Sequence, residues 1–250
     1  VKVAASGEID AWRTEVRALT QLRHPNIVLC LGVLLEPPTC GLVLELCDGL
    51  DLGTALRRHT PPGFMLRVSQ GVAAGMLYLH GQGVMHRDLK GSNVLLDGAG
   101  EVKLTDFGLA VDAPDSTANG GWLTAETGTL RWMAPEVIRH ERYSKLADVF
   151  SYGMVLYELL THEVPWADLP PLQAAVAVAL NDQTPPLPAG TPAAIAGLAA
   201  SCWARIPSDR PSFKQVHATL STITESLSLG EAQWLDAPSG HPVASGTPSA

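Results

Sequence analysis

The sequence predicts an α+β fold, strand-rich in its first fifty residues and mainly helical afterwards. Three observations carry this expectation. Strand-like apolar runs crowd into the first fifty residues, whereas apolar residues at helical spacing dominate from about residue 64 onward. A break at Cys47-Asp48-Gly49 falls between the two regimes. A chain of 250 residues is long enough for one large domain, or two lobes sharing a cleft, burying roughly 70–75% of its unfolded surface.

Taken in order, Val1-Lys2-Val3 reads as the end of a strand. Ile9, Trp12, Val16, Leu19 and Leu22 follow the Gly7 break at helical spacing and predict a helix over about 8–23, with Glu15 bordering its apolar stripe. Residues 27–35 and 41–46, joined by Glu36-Pro37-Pro38-Thr39, read as an antiparallel pair with a proline-stiffened connection. Met65, Val68, Val72, Met76 and Leu79 mark a helix over about 64–80, with Gly81 and Gly83 to stop it. Val84-Met85 and Val94-Leu95-Leu96 look like short buried strands on either side of a polar loop, and Val102-Lys103-Leu104-Thr105 like another. Between Gly108 and Ala134 lies a polar stretch longer than an ordinary connection, which predicts a functional or mobile segment. Ser144 is a candidate N-cap for a helix through Leu160, whose nearly all-round apolar character predicts a central buried position. Proline-rich linkers at 165–171 and 185–192 separate further helices, the last over about 211–228. From residue 229 to 250, Pro, Ser, Gly and Ala accumulate without periodicity, which predicts a disordered tail.

Charge and composition exclude several classes. A net charge of −8 argues against a nucleic-acid binder, which would cluster Lys and Arg on one face. Lys2 is the sole lysine before Lys90, so a bound anion would meet few protein cations in the first part of the chain. No apolar run reaches the ~18 residues of a spanning helix, and no secretory signal is visible, so no membrane span and a cytoplasmic location are expected. Cys30, Cys40, Cys47 and Cys202 form no C-x-x-C pair and read as reduced thiols.

The chemistry is concentrated in three motifs. His86-Arg87-Asp88-Leu89-Lys90-Gly91-Ser92-Asn93 places an acid, a lysine and an amide at fixed offsets between two apolar runs; Asp106-Phe107-Gly108 and Ala134-Pro135-Glu136 follow. Each tripeptide alone is weak, but in this order the three resemble the protein kinase catalytic domain, over about residues 1–228. The resemblance implies an N-lobe at 1–46, a hinge at 45–49 and a C-lobe at 50–228. It also implies ATP and Mg2+ as cofactors and transfer of the γ-phosphate to a protein hydroxyl.

Residue by residue, the resemblance makes Asp88 the acceptor of the hydroxyl proton and Lys90 the neutraliser of developing γ-phosphate charge. Asn93 and Asp106 become the metal ligands. Lys2 and Glu15 match the pair that fixes the ATP phosphates, while Glu45, Leu46 and Cys47 match the hinge whose backbone meets adenine, with Leu44 behind it. Without the motifs, Lys2 and Glu15 would read as a surface lysine and a solvated helix glutamate, and 45–47 as an ordinary strand end. His86 is expected to be a buried support, Asp148 to tie down the 86–93 loop, and Arg210 to pair with Glu136. Lys90-Gly91-Ser92 and Gly128-Thr129 resemble serine/threonine enzymes, with Thr129 bonding Asp88 and Lys90. Residues 128–136, Cys202-Trp203 and Arg210-Pro211-Ser212-Phe213 resemble the tyrosine-kinase-like branch, Raf-like and mixed-lineage-like.

The polar segment resembles an activation loop, offering Ser116, Thr117, Thr124 and Thr127 to an upstream activating kinase, with Arg87 to receive the phosphate. One departure stands out. The family carries a G-x-G-x-x-G-x-V loop ahead of the lysine matched by Lys2, and this sequence has none. The expectation is therefore a truncated kinase domain, with a catalytically weak pseudokinase or scaffold as the alternative.

Overall fold

The structure, a computed structural model, describes residues 2–3, 16, 20–36, 39–58, 60–106 and 129–237. Strand β1 (Lys2–Val3) pairs antiparallel with β3 (Thr39–Leu44), and β3 pairs antiparallel with β2 (Cys30–Glu36), so the sheet order is β1-β3-β2. Of the expected helix over 8–23, residues 16 and 20–23 are described; Val16, Thr20 and Gln21 are helical, Leu22 and Arg23 lie past the helix end, and Thr20 Oγ1 donates to the Val16 carbonyl four residues back at 2.8 Å.

Strand β2 begins three residues into its apolar run and β3 ends two residues before its own run does, because backbone groups there have other partners. Val28 N–H donates to the Leu104 carbonyl and Leu104 N–H to the Asn26 carbonyl, each at 2.9 Å, so residues 26–28 are committed to a different partner. At the other end, Glu45 N–H turns back to the Leu29 carbonyl at 2.9 Å and Leu46 swings out to 91% exposure. An apolar run marks burial, but the backbone partner decides where a strand stops.

The chain leaving Glu45 is clasped by the second sheet. Leu96 N–H donates to the Leu50 carbonyl at 2.8 Å. A Cβ at Gly49 would fall 1.8 Å from the Leu96 carbonyl oxygen, so this approach admits only glycine. Helix α1 (Leu52–Leu56) follows, which the sequence reading missed; Asp51 caps it by accepting from Thr54 N–H at 3.0 Å. Helix α2 (Phe64–Gly81) buries the stripe Met65, Val68, Val72, Met76 and Leu79 as its spacing predicts. Val84-Met85 is not the expected strand, since Val84 N–H is spent on the Leu79 carbonyl at 3.0 Å in closing the end of α2. Strands β4 (Val94–Leu96) and β5 (Val102–Leu104) form the second, antiparallel sheet, with Leu95 opposite Lys103.

Below this lies the helical lobe. Short α3 (Pro135–Ile138) precedes α4 (Leu146–Thr161), whose residues from Ala147 to Thr161 are buried. Its N-cap is Lys145 rather than Ser144, whose Oγ nevertheless accepts from Leu146 N–H at 3.3 Å. Helices α5 (Pro171–Ala179), α6 (Ala193–Cys202) and α7 (Phe213–Ser226) complete the lobe, with α7 packed along α2 and opened by a Ser212/Gln215 capping box. No helix among the described residues is long and apolar enough to cross a membrane.

The expected disordered tail begins too early. Residues Leu229–Leu235 form helix α8, started by a Ser228/Glu231 capping box. Asp236 Oδ1 then accepts from Gly63 N–H at 2.7 Å, and the Trp234 ring packs against Gly190, tying the segment to two distant turns. Residues 238–250 lie outside the described residues.

Candidate active site

The loop from His86 to Asn93 is held from beneath by α4. Asp148, 1% exposed, accepts from His86 N–H at 2.9 Å and Arg87 N–H at 2.8 Å, and its other contact is His80 Nε2 at 2.8 Å. Arg87 has φ of 67°, a left-handed geometry that costs a non-glycine residue ~1–3 kcal/mol and persists only where the surroundings over-determine it. The two bonds to Asp148 are that constraint. Burial pushes the Asp148 carboxyl upward in pKa, but the His80 hydrogen bond, nearby histidine charge and the Arg87 N–H together outweigh it and hold the group below its usual value. His86 is fully buried, desolvation lowers its pKa, and its Nδ1 accepts from Asp88 N–H at 3.3 Å. It is a buried, hydrogen-bonded support, as the sequence led us to expect.

Ten residues further along α4, Glu158 reaches the other end of the loop. Its Oε2 accepts from Gly91 N–H at 3.0 Å and from Trp132 Nε1–H at 2.8 Å. A Cβ at Gly91 would lie 2.5 Å from Glu158 Oε1, so a larger residue here would have to displace the Glu158 carboxyl group. Burial pushes Glu158 up to about 8 from 4.5, the bonds from Trp132 and Gly91 offsetting it only in part. Between those two values the unfolded chain has released this proton while the folded chain keeps it. Stability therefore falls as pH rises through that window, by up to ~1.4 kcal/mol per pH unit from this group. Urea unfolding of Glu158→Gln between pH 5 and 8 is expected to show a flatter decline than the parent; an identical slope would count against a buried, protonated Glu158.

Above these anchors four side chains converge. Lys90 Nζ lies 2.8 Å from Asp88 Oδ2 and donates to Thr129 Oγ1 at 2.8 Å. Asn93 Nδ2 donates to Asp88 Oδ2 at 2.9 Å and to the Asp88 carbonyl at 2.7 Å. The remaining carboxylate oxygen, Asp88 Oδ1, is buried without a hydrogen-bond partner among the described residues. Thr105 N–H donates to the Asn93 carbonyl at 3.1 Å, so β5 brings Asp106, at φ 62°, beside the cluster.

The other expected positions are partly visible. Neither the Glu45 carbonyl nor the Cys47 amide makes a backbone bond among the described residues, so both are available at the turn out of β3. Burial, then Glu45, pushes the Cys47 thiol up. Lys2 lies in β1 opposite Leu42, but its side chain, Glu15, Phe107, Gly108 and the hydroxyls at 116, 117, 124 and 127 lie outside the described residues.

A family model for protein tyrosine and serine/threonine kinases matches residues 1–220. The chain belongs to this kinase family. Curated relatives include the serine/threonine/tyrosine-protein kinase HT1 of Arabidopsis thaliana, 38% identical over 88% of this chain and 56% of its own length. The serine/threonine-protein kinase STY17 of the same plant is 40% identical over 84% of this chain and 36% of its own. Human mitogen-activated protein kinase kinase kinase 11 is 40% identical over 86% of this chain and 26% of its own. The chain thus spans between about a quarter and just over half of the length of these relatives. The recognition of a serine/threonine-type kinase domain with Raf-like and mixed-lineage-like features holds, and so does the α+β fold class.

In this kinase domain the sequence reading missed Glu158, although an acid in the middle of a largely apolar helix by itself signals a buried polar partner. It also missed Arg131, whose guanidinium gathers the carbonyls of Pro165, Trp166 and Leu169 and so ties the segment after Thr129 to the lower lobe. Nothing in the local pattern around Arg131 forecasts three carbonyls arriving from one distant turn.

Proposed function

We propose that this domain is an ATP-dependent serine/threonine protein kinase, transferring the γ-phosphate of ATP to hydroxyls of protein substrates. The observation that carries this reading is the state of Asp88. One carboxylate oxygen is clamped by Lys90 and Asn93, while the other is buried and unpaired, ready to accept a proton from an incoming hydroxyl. Lys90, tethered to Thr129, holds its ammonium group beside that point, where charge would develop on the transferred group. The same lysine bridging a threonine supports a hydroxyl acceptor of the serine/threonine kind.

The residues present fit a magnesium nucleotide. Asn93 spends its amide nitrogen on Asp88, which leaves its amide oxygen as a ligand atom, and Asp106 follows two residues after β5, one residue past the Thr105 N–H that donates to the Asn93 carbonyl. Two protein oxygens suit an ion that completes its octahedron with waters and phosphates. Bound there, magnesium would screen the phosphates; the chain's own part is to hold Asn93 and Asp106 in register and keep Asp88 oriented. The Glu45 carbonyl and Cys47 N–H are the groups we assign to adenine, with Lys2 and Glu15 as the phosphate-fixing pair. Free Cys30, Cys47 and Cys202 agree with a reducing, cytoplasmic setting.

Phosphate transfer from radiolabelled Mg-ATP to a generic acceptor such as casein tests the activity. Asp106→Asn is expected to lose the magnesium-dependent part of ATP affinity, about tenfold or more, measured by calorimetry with and without the metal. ATP affinity that responds to magnesium equally in parent and variant would remove Asp106 from the metal site.

A further inference from the structure

The Glu45 side chain, rather than its backbone, makes the most contacts at the hinge. Its Oε1 accepts from Leu29 N–H at 2.8 Å and from Lys103 Nζ at 2.9 Å, and its Oε2 lies 3.2 Å from the same ammonium. Backbone and side chain thus grip Leu29 from both sides, since Glu45 N–H also donates to the Leu29 carbonyl. The segment just before Leu29 is stitched to β5 by Val28 N–H to Leu104, Leu104 N–H to Asn26 and Asn26 Nδ2 to the Val102 carbonyl at 3.0 Å. Lys103 sits in the middle of that strand, three residues before Asp106. A closed circuit therefore runs from Glu45 through Leu29 to β5 and back through Lys103.

The charges around this circuit are one-sided. Glu45, Asp48 and Asp97 all raise the pKa of the Cys47 thiol, and Lys103 is the cation that opposes them. The pair itself is 18% exposed at Lys103 and 25% at Glu45, enough to remain wet but too enclosed for a free surface contact.

We infer that Lys103 is a positioning residue for the nucleotide: through Glu45 it fixes the turn at 45–47 against the strand that carries Asp106, so that the base-contacting and metal-binding ends of the cleft keep one spacing. The inference rests on the nucleotide-binding reading above, but not on phosphate transfer. A ligand that touches both ends at once gains affinity only if their separation is already set, since each end otherwise loses freedom on binding. Lys103 also cancels repulsion between Glu45 and the two aspartates that would push the turn outward.

The experiment measures Mg-ATP affinity and steady-state kinetics on the full natural chain and on Lys103→Met and Lys103→Arg. Lys103→Met is expected to weaken Mg-ATP binding and raise KM for ATP about fivefold, with kcat within about twofold, a size typical of coupled side-chain pairs. Affinity for adenosine alone, which reaches only the 45–47 end, is expected to change less than twofold, because it does not span the cleft. Lys103→Arg, able to donate to both Glu45 oxygens, should restore the parent values. Unchanged Mg-ATP affinity in Lys103→Met overturns the inference. Equal losses for adenosine and Mg-ATP, or a parallel fall in kcat and thermal stability, also overturn it, because they mark a merely structural lysine. Should the parent bind Mg-ATP without transferring phosphate, the proposed activity fails while the affinity ratios still decide the role of Lys103. A parent with no Mg-ATP affinity overturns both.

Discussion

Asp88→Asn is expected to reduce phosphate transfer by ~10²–10⁴-fold while leaving Mg-ATP affinity within about threefold of the parent. The asparagine amide can keep its oxygen where Oδ2 now accepts from Lys90 and Asn93, so the cluster's geometry survives. Its nitrogen then occupies the place of Oδ1, the oxygen without a partner, and turns an acceptor into a donor facing the hydroxyl. Ground-state binding depends little on that atom, whereas proton acceptance depends on it entirely. Turnover and calorimetric affinity measured on both proteins test the assignment. An equal loss in the two would mean that Asp88 organises the nucleotide site instead of receiving a proton.

Arg210→Ala is expected to cost ~3–5 kcal/mol in urea unfolding, the largest stability loss we anticipate from a single substitution. Glu136 and Arg210 are 3% and 4% exposed, joined at 2.6 and 2.9 Å, and the guanidinium also donates to the carbonyls of Ala204 and Leu146 and lies 5.2 Å over the Phe150 ring. Truncation leaves a buried carboxylate with no counter-charge and two carbonyls unpaired. Glu136→Gln in the same background should recover part of the loss by removing the stranded charge. A single-variant cost under ~1 kcal/mol would place this pair among ordinary surface bridges.

Much of the cleft was legible because the family motifs specify side chains at fixed offsets within one loop. Asp88, Lys90, Asn93 and Thr129 come together in space, though Thr129 meets Lys90 but not Asp88, which the resemblance also implied; Asp148 lies under the loop and Arg210 on Glu136. The misread strands fail because their backbone groups find other partners, one distant in sequence and one local. Residues 27–28 are as apolar as any strand, yet β5 claims them; Val84-Met85 likewise, yet the end of α2 uses the N–H. Composition misjudged 229–235 because a Ser/Glu capping box and one tryptophan outweigh a polar, glycine-bearing surrounding sequence. Glu45 was read for its main chain alone, and its carboxylate bond to Lys103 across 58 residues leaves no periodic trace.

Helix α4 has a consequence for how such a protein can change over time. Asp148, Ser151 and Glu158 sit on one rod within about 15 Å along its axis, and each grips a different piece of the loops above: His86 and Arg87, the Trp132 carbonyl, and Gly91 with the Trp132 indole. Because the rod is buried on every side, it offers evolution no outward face on which a trial substitution is harmless. Drift is therefore pushed to the rim, onto exposed positions such as Leu172 and Val176 of α5. Lineages sharing this rod should diverge in what they recognise long before they diverge in how the reaction is run, and comparing substitution rates along α4 and α5 among natural variants would measure that asymmetry directly.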